Sequence, residues 1–394
     1  MHHGIGQRPP TGRPTGRGRY PAPTGADPAR PERIAQLVDD IVSLVRPEIY
    51  AMRPYSSARV EAEQAARIHL DANENPYPPY PGGPEQEGLN RYPEPQPPSL
   101  LGRFAEIYGL PVEQLFLSRG ADESIDLLVR AFCAAGRDGI LITPPTFVMY
   151  ETAAAIQGAS VCRVPLVPGS YQLDADAMLA ACAADPGIKL VFVCSPNNPT
   201  ANLMDRASVL RLAERLRGRA MVVVDELYLD YSGQPSLAGD IAGRPNLVVV
   251  RSLSKEYSLA GERCGITLAH PEVIGVLRRI MPPYPLAVTA IRAIGAAISP
   301  AGIAHGRRTI ERIVAERDRV RNALAQLPSV IEVFPSDANF LLLRTEDPQR
   351  LCGALAAQGI RLRDRSSVID GGVRLSIGTP EENDELLRAL KLHG

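Results

Sequence analysis

Several absences narrow the possibilities before any motif is considered. No run of about 18 or more uninterrupted apolar residues occurs, and the N-terminus shows no apolar signal region, so no membrane-spanning helix and a cytoplasmic location are expected. Charge of one sign is missing too. The 43 basic and 44 acidic residues nearly cancel, leaving no overall field to attract nucleic acid or an anionic membrane surface. Cys133, Cys162, Cys182, Cys194, Cys264 and Cys352 include no C-x-x-C pair. They read as buried thiols in a reducing compartment, and no metal site is expected. No internal repeat is present.

What is present points to a large enzyme-like chain. With 394 residues, 45% of them hydrophobic, a sizeable core and two domains are expected. Residues 1–31 are crowded with Pro, Gly and Arg and cannot bury enough apolar surface to order themselves, which predicts a disordered tail. The spacing of Ile34, Leu37, Val38, Ile41, Val42 and Val45 predicts a short amphipathic helix ending at Pro47. Residues 53–98, rich in Pro, Tyr and Asn, predict an extended arm of the kind that crosses to a second subunit.

Beyond Ser99 helices alternate with short apolar runs, the signature of a mostly parallel α/β sheet covered on both faces. Strands are expected at 115–117, 139–142, 189–194, 221–224, 246–250 and 265–268, with helices at 123–133 and 206–216 among those between them. Past Pro285 two long helical patterns, 288–298 and 301–327, precede strands around Phe340 and Val373 and a final helix at 380–392. A smaller α+β domain is expected there. The division drawn is a tail at 1–31, a helix and arm at 32–70 partly in the small domain, a large domain at 71–284 and a small one at 285–394.

The polar motifs follow the predicted strands, where open α/β sheets place their ligands. Val222-Val223-Val224-Asp225-Glu226-Leu227-Tyr228 delivers a carboxylate and then a phenol from a buried strand. An aspartate that keeps a pyridinium nitrogen protonated makes pyridoxal phosphate an electron sink, and a phenol at its 3′ oxygen tunes it. Thirty residues after Asp225, the run Arg251-Ser252-Leu253-Ser254-Lys255 offers a lysine that can bond the cofactor aldehyde. Ser252 and Ser254 beside it, and Arg263 eight residues later, suit a phosphate. The turn Ser195-Pro196-Asn197-Asn198-Pro199-Thr200 can aim the Asn198 amide at the ring oxygen. Ser118 to Glu123 opens a helix whose free amides form an anion site. Phe147 offers a flat face for stacking on the ring.

These motifs occur together in one order. With Leu70-Asp71-Ala72-Asn73-Glu74-Asn75-Pro76, Arg91-Tyr92-Pro93 and Arg263-Cys264-Gly265, the chain from Arg53 onward resembles the fold-type-I aminotransferases, among them the histidinol-phosphate aminotransferases. The resemblance implies a seven-stranded large-domain sheet and pyridoxal phosphate as cofactor. It implies that Lys255 holds the cofactor and shuttles a proton at the substrate α carbon, that Asp225 pairs with the ring nitrogen, and that Asn198 and Tyr228 bind the 3′ oxygen. Phe147 would stack on the ring, while Ala121, Asp122, Ser252, Ser254 and Arg263 would gather the phosphate. Tyr92 would reach the neighbouring subunit's cofactor in a homodimer with shared active sites. Arg374 would take the acidic group of a small-molecule substrate, with Tyr55, Tyr284 and Arg363 on the substrate's phosphate side.

The reaction implied is exchange of an amino group between L-histidinol phosphate and 2-oxoglutarate, giving 3-(imidazol-4-yl)-2-oxopropyl phosphate and L-glutamate, as in histidine biosynthesis. Two alternatives stay open, the first of them on departures from the family pattern. Ala201 stands where the family has glycine, which predicts strain if its φ is positive. Val148 and Leu227 also depart, and Glu256 and Glu262 add acids near Lys255 and Arg263. A relative acting on another amino acid, as aminotransferase, decarboxylase, cyclase or oxidase, is one alternative. A non-catalytic binding module is the other, against which Lys255, Asp225 and Asn198 all argue.

Overall fold

The computed structural model describes residues 39–54, 68, 70 and 72–391. The 1–31 tail, the first turns of the helix expected from residue 32, and Tyr55 lie outside them.

Val222-Val223-Val224 and Leu247-Val248-Val249-Val250 are apolar without alternation, as strands buried on both faces must be. They form the centre of a seven-stranded sheet. Its strands are β1 (Leu115–Ser118), β2 (Gly139–Ile142), β3 (Ser160–Arg163), β4 (Ile188–Cys194), β5 (Met221–Asp225), β6 (Leu247–Ser252) and β7 (Gly265–Leu268), in the order β1-β7-β6-β5-β4-β2-β3. All neighbours are parallel except β7, which is antiparallel to β1 and β6. Successive side chains feed two cores: Val191, Val193, Val222, Val224 and Val249 on one face, Leu190, Phe192, Val223, Val248 and Val250 on the other. Each fully buried Val or Leu here contributes about 1.5–3 kcal/mol by leaving water. The edge strand β3, half exposed, was not expected from the sequence, because Ser160 and Arg163 break its apolar character.

The helices obey the same logic. Helix α1 (Ala121–Phe132) buries Ile125, Leu128, Val129 and Phe132, three or four residues apart, and carries acids in its first turn and Arg130 in its last. Helices α2 (Met149–Gln157) and α3 (Arg206–Arg215) follow β2 and the turn after β4. A single helical turn, α4 (Leu253–Glu256), directly follows β6 and carries Lys255.

The second sheet is antiparallel, with β8 (Glu332–Val333), β9 (Phe340–Arg344), β10 (Arg363–Asp364) and β11 (Gly372–Ser376) in the order β10-β11-β9-β8. Leu341, Leu343, Val373 and Leu375 point to one face and pack with Val320 and Leu324 of α5 (Pro300–Leu324) and Leu386, Leu387 and Leu390 of α6 (Pro380–Lys391). The alternate residues Phe340, Leu342, Arg363 and Arg374 therefore share the other face. Arg317 of α5 is buried and donates to the carbonyl oxygens of Tyr231, at 3.3 Å, and Ala338, at 3.1 Å.

One expectation is corrected. The described part of the N-terminal segment does not join the small sheet: Ile41, Leu44 and Val45 pack in the large-sheet core with Phe132 and Met221. The Arg46 amide donates to Ala131 O at 3.0 Å, which docks the segment on α1. A stripe of Ile, Leu and Val specifies burial, not the surface that supplies it.

Candidate active site

The ends of β1 and β6 both pair with Gly265, at Ser118 and Ser252. Only glycine fits at that junction. A Cβ on Gly265 would lie 2.4 Å from the Gly120 carbonyl carbon and 2.7 Å from the Ala121 nitrogen. The missing side chain lets the start of α1 close against β7. Gly120, with φ of 84°, turns the chain into α1 and offers no capping side chain, so the first amides, at Ala121 and Asp122, stay open to an anion. The Arg263 guanidinium passes over Gly120, where a Cβ would lie 2.6 Å from its Nη2.

The other phosphate candidates gather at the same point. Ser252 Oγ lies 2.9 Å from Ser254 Oγ and donates to Cys264 O at 3.1 Å. Arg263 Nη2 donates to Asp122 Oδ2 at 3.1 Å. Asp122 thus holds the arginine with its carboxylate and can meet a phosphate only through its backbone N–H. These donors, the two glycines and the uncapped helix start fit a phosphate monoester.

Asp225, at the end of β5, is 2% exposed. Tyr150 of α2 donates to its Oδ2 at 2.7 Å, and the Leu227 amide to its Oδ1 at 3.2 Å. Burial, opposed by the Tyr150 hydrogen bond, pushes its pKa up to about 6. A buried carboxylate beside a site for a pyridinium nitrogen is the complementary charge that such a ring needs. Phe147, half-buried, sets its ring edge-on to Tyr150 with centroids 5.7 Å apart.

Lys255 Nζ lies 6.0 Å from the centroid of the Tyr228 ring. Burial, then the charges of Arg374 and Arg263, lower its pKa, with Asp122 opposing. A lysine held below its ordinary range spends more time as the free amine that attacks a carbonyl. Tyr228 is held well above its ordinary range, chiefly by burial.

The small sheet completes the site from the opposite side. Arg374 donates to Asn198 Oδ1 at 2.5 Å and lies over the Phe340 ring at 5.5 Å, while Phe340 meets Tyr228 edge-on at 5.1 Å. Asn198 is aimed by its neighbour: Asn197 Nδ2 donates to Thr200 Oγ1 and Pro145 O, fixing the turn. Arg363 is the cross-strand partner of Arg374, and the two line a cavity of about 490 Å³ on the small-sheet side, shared with Ser376, Glu382 and Glu385 and apart from Asn198, Tyr228 and Lys255. Burial and the charges of both lower the pKa of Arg365, two residues further along the same face. No ion pair to an acid is found for these three arginines among the described residues.

Ala201 takes φ of 66° and is fully buried against Ala338, Phe340 and Tyr228, so the expected left-handed conformation is present without glycine. Glu256 does not act on Lys255 as an added acid; Arg251 takes up its carboxyl at 2.8 Å. Tyr92 and Tyr284, expected on the cofactor and phosphate sides, stack on each other with centroids 4.5 Å apart. Tyr150, Arg251 and Tyr231 were not singled out from the sequence. A phenol inside an apolar helix and an arginine ending a strand carry no local signal.

The geometry can be set beside known proteins. Residues 67–390 match the model of the family "Aminotransferase class I and II". The chain belongs to this family. As a class I and II aminotransferase it is an enzyme with pyridoxal phosphate as its cofactor, which the donor set described above fits. A histidinol-phosphate aminotransferase from Stenotrophomonas maltophilia is 43% identical over 90% of this aminotransferase and 97% of its own length. One from Escherichia coli is 40% identical over 89% and 98%. The solved histidinol-phosphate aminotransferase from Clostridium acetobutylicum superposes with a TM-score of 0.71, covering 78% of this chain and 92% of its own, at 23% identity. That likeness concerns the fold.

Proposed function

We propose that the enzyme transfers the amino group of L-histidinol phosphate to 2-oxoglutarate, reversibly, as a step in histidine biosynthesis. The observation that carries the substrate class is the arginine face of the small sheet. Arg374 and Arg363 stand side by side with no acid paired to them, opposite Asn198, Tyr228 and Lys255. A half-buried Arg374 beside an exposed Arg363, neither ion-paired to an acid among the described residues, favours a substrate with strong negative charge, such as a phosphate monoester or a dicarboxylate. Both partners of the proposed reaction qualify. The 43% identity to a relative named for histidinol phosphate supports the choice between amines.

The cofactor, when bound, supplies an aldehyde for amine exchange and a ring that withdraws electrons from the α carbon. Lys255 would hold the cofactor by its aldehyde and would serve as the group that moves a proton at the substrate α carbon, its pKa lowered by burial and by Arg374 and Arg263. Asp225, oriented by Tyr150, would hold a proton at the ring nitrogen by its buried charge. Asn198 and Tyr228 hold the ring oxygen, and Phe147 covers the ring. Ala121 and Asp122 by their amides, Ser252, Ser254 and Arg263 hold the cofactor phosphate. Arg374 binds the acidic group of the incoming substrate, with Arg363, Tyr284 and Tyr55 on the phosphate side.

A homodimer belongs to the same proposal. Tyr92 is 48% exposed and Tyr80 96%, aromatic surface on the arm that a second subunit would cover. We divide the chain into a large domain at 71–284 and a small one at 285–394, each with one sheet, and the first helix past residue 285 packs Ala290 and Ile294 into the large-sheet core. Six free cysteines support a reducing, cytoplasmic setting. The test is a substrate panel with purified enzyme: ping-pong kinetics with L-histidinol phosphate and 2-oxoglutarate are expected. Good turnover of another amine with none on histidinol phosphate would overturn the assignment.

A further inference from the structure

Behind Lys255 lies a buried charge cluster that the reaction above does not use. Arg251, on β6, has a side chain only 5% exposed. Its Nη2 donates to Asp230 Oδ2 at 2.6 Å and to Glu256 Oε2 at 2.8 Å, and its Nη1 lies 3.5 Å from Glu226 Oε2. Glu226 is also held by the Leu237 amide at 2.8 Å and by Ser236 Oγ at 2.5 Å. From the same turn as Asp230, Tyr231 donates its hydroxyl to the Lys255 carbonyl at 2.8 Å.

The chain positions of these acids matter. Glu226 directly follows Asp225, and Glu256 directly follows Lys255. Three carboxyls around one guanidinium carry more negative charge than it balances: Glu226 and Glu256 are buried, while Asp230 is 31% exposed beside a neighbouring cavity. Burial, opposed by Arg251 and aided by the hydrogen bond to Asp230, pushes Glu256 well above the carboxylate range. A hydrogen bond between the Glu256 and Asp230 carboxyls closes the cluster as one unit.

We propose that Arg251 is a positioning residue: by gripping Glu226 and Glu256, the neighbours of Asp225 and Lys255, it fixes the spacing between the buried aspartate and the lysine amine. This rests on the reading of Asp225 and Lys255 as the cofactor's partners. The grip acts through main chain, since a carboxyl one residue away cannot shift without turning the backbone that carries the working side chain.

The experiment compares Glu256→Ala, Glu256→Gln and a double variant, Arg251→Met with Glu256→Met, which removes the grip while Glu226 keeps its Leu237 and Ser236 donors. Each holoenzyme, loaded with pyridoxal phosphate, is measured by visible circular dichroism, which reports the set of the ring in its site, by kcat and KM, and by melting temperature. Glu256→Ala and the double variant should alter the visible dichroism and lower kcat about tenfold, with KM held within about twofold. Glu256→Gln should restore both. Wild-type dichroism and kcat in Glu256→Ala and the double variant, with only the melting temperature lowered, would leave a structural role alone and overturn the proposal. A wild-type protein that gains no visible band with pyridoxal phosphate overturns the cofactor reading first, and the proposal with it.

Discussion

The two sheets carry polar groups in different places. In the seven-stranded sheet both faces are packed, so its site groups stand at strand ends: Ser118, Asp225 and Ser252 close β1, β5 and β6. In the four-stranded sheet one face is packed throughout and the other only in part, at Phe340 and Leu342, and Arg374 sits on that second face in mid-strand between Val373 and Leu375. The consequence is a division of labour. The large sheet holds its groups in a dry, hydrogen-bonded setting that tunes their protons, while the small sheet presents long cations that adapt to what enters.

Replacing groups on each side sharpens that contrast. The largest effect is expected for Lys255→Ala, since no other amine near the ring site can move the α proton: a loss of about 10⁴-fold or more in kcat. Single-turnover measurement checks it, and a variant keeping a tenth of the rate would break the comparison. Asp225→Asn keeps the hydrogen-bond geometry and removes the charge, so a loss of about 10²–10³-fold in kcat is expected with the cofactor still bound. On the small sheet the effect should move to binding. Arg374→Ala is expected to lower kcat/KM about 10²-fold for both substrates, and Arg363→Ala about tenfold for the phosphorylated one only, as for lost charged hydrogen bonds.

Stability offers a fourth contrast. Because Asp225 has a pKa of about 6 in the folded protein against an ordinary 3.8, the native state binds more protons than the unfolded chain between those values. Its contribution is fully present below about pH 4 and is lost as pH rises through 6. Cofactor-free Asp225→Asn should therefore be more stable than wild type by about 2–3 kcal/mol at pH 7.5, a gap that closes near pH 4. Urea unfolding at the two values measures it, and a gap that widens in acid would reverse the argument. The smallest effect belongs to Ala201→Gly. Relief of a left-handed alanine, about 1 kcal/mol, is offset by the lost buried methyl and the added freedom of the unfolded chain, so a net change within about 1 kcal/mol is expected by thermal unfolding.

The same difference between sheets explains what the sequence revealed. Around the large sheet, each apolar run ended in a polar motif, so Asp225, Asn198, Ser252 and Lys255 could be placed from chain order. Arg374 came from the resemblance, because in Val373-Arg374-Leu375-Ser376 alternation announces only a half-buried strand. The edge strand β3 was missed because half its residues face water. Tyr150 was missed because its hydroxyl meets Asp225 across 75 residues, and the stripe that places the N-terminal segment is silent about which core receives it. Long-range pairing is set by packing, and no local pattern records it.

Arg317 ties these two regions mechanically. One guanidinium holds the Ala338 carbonyl, which leads into β9, and the Tyr231 carbonyl, whose own phenol holds the Lys255 main chain. The small sheet therefore cannot swing on the large one without either breaking a bond at Arg317 or pulling on the segment next to the lysine. Any closure that moved the small sheet would load the main chain that carries Lys255.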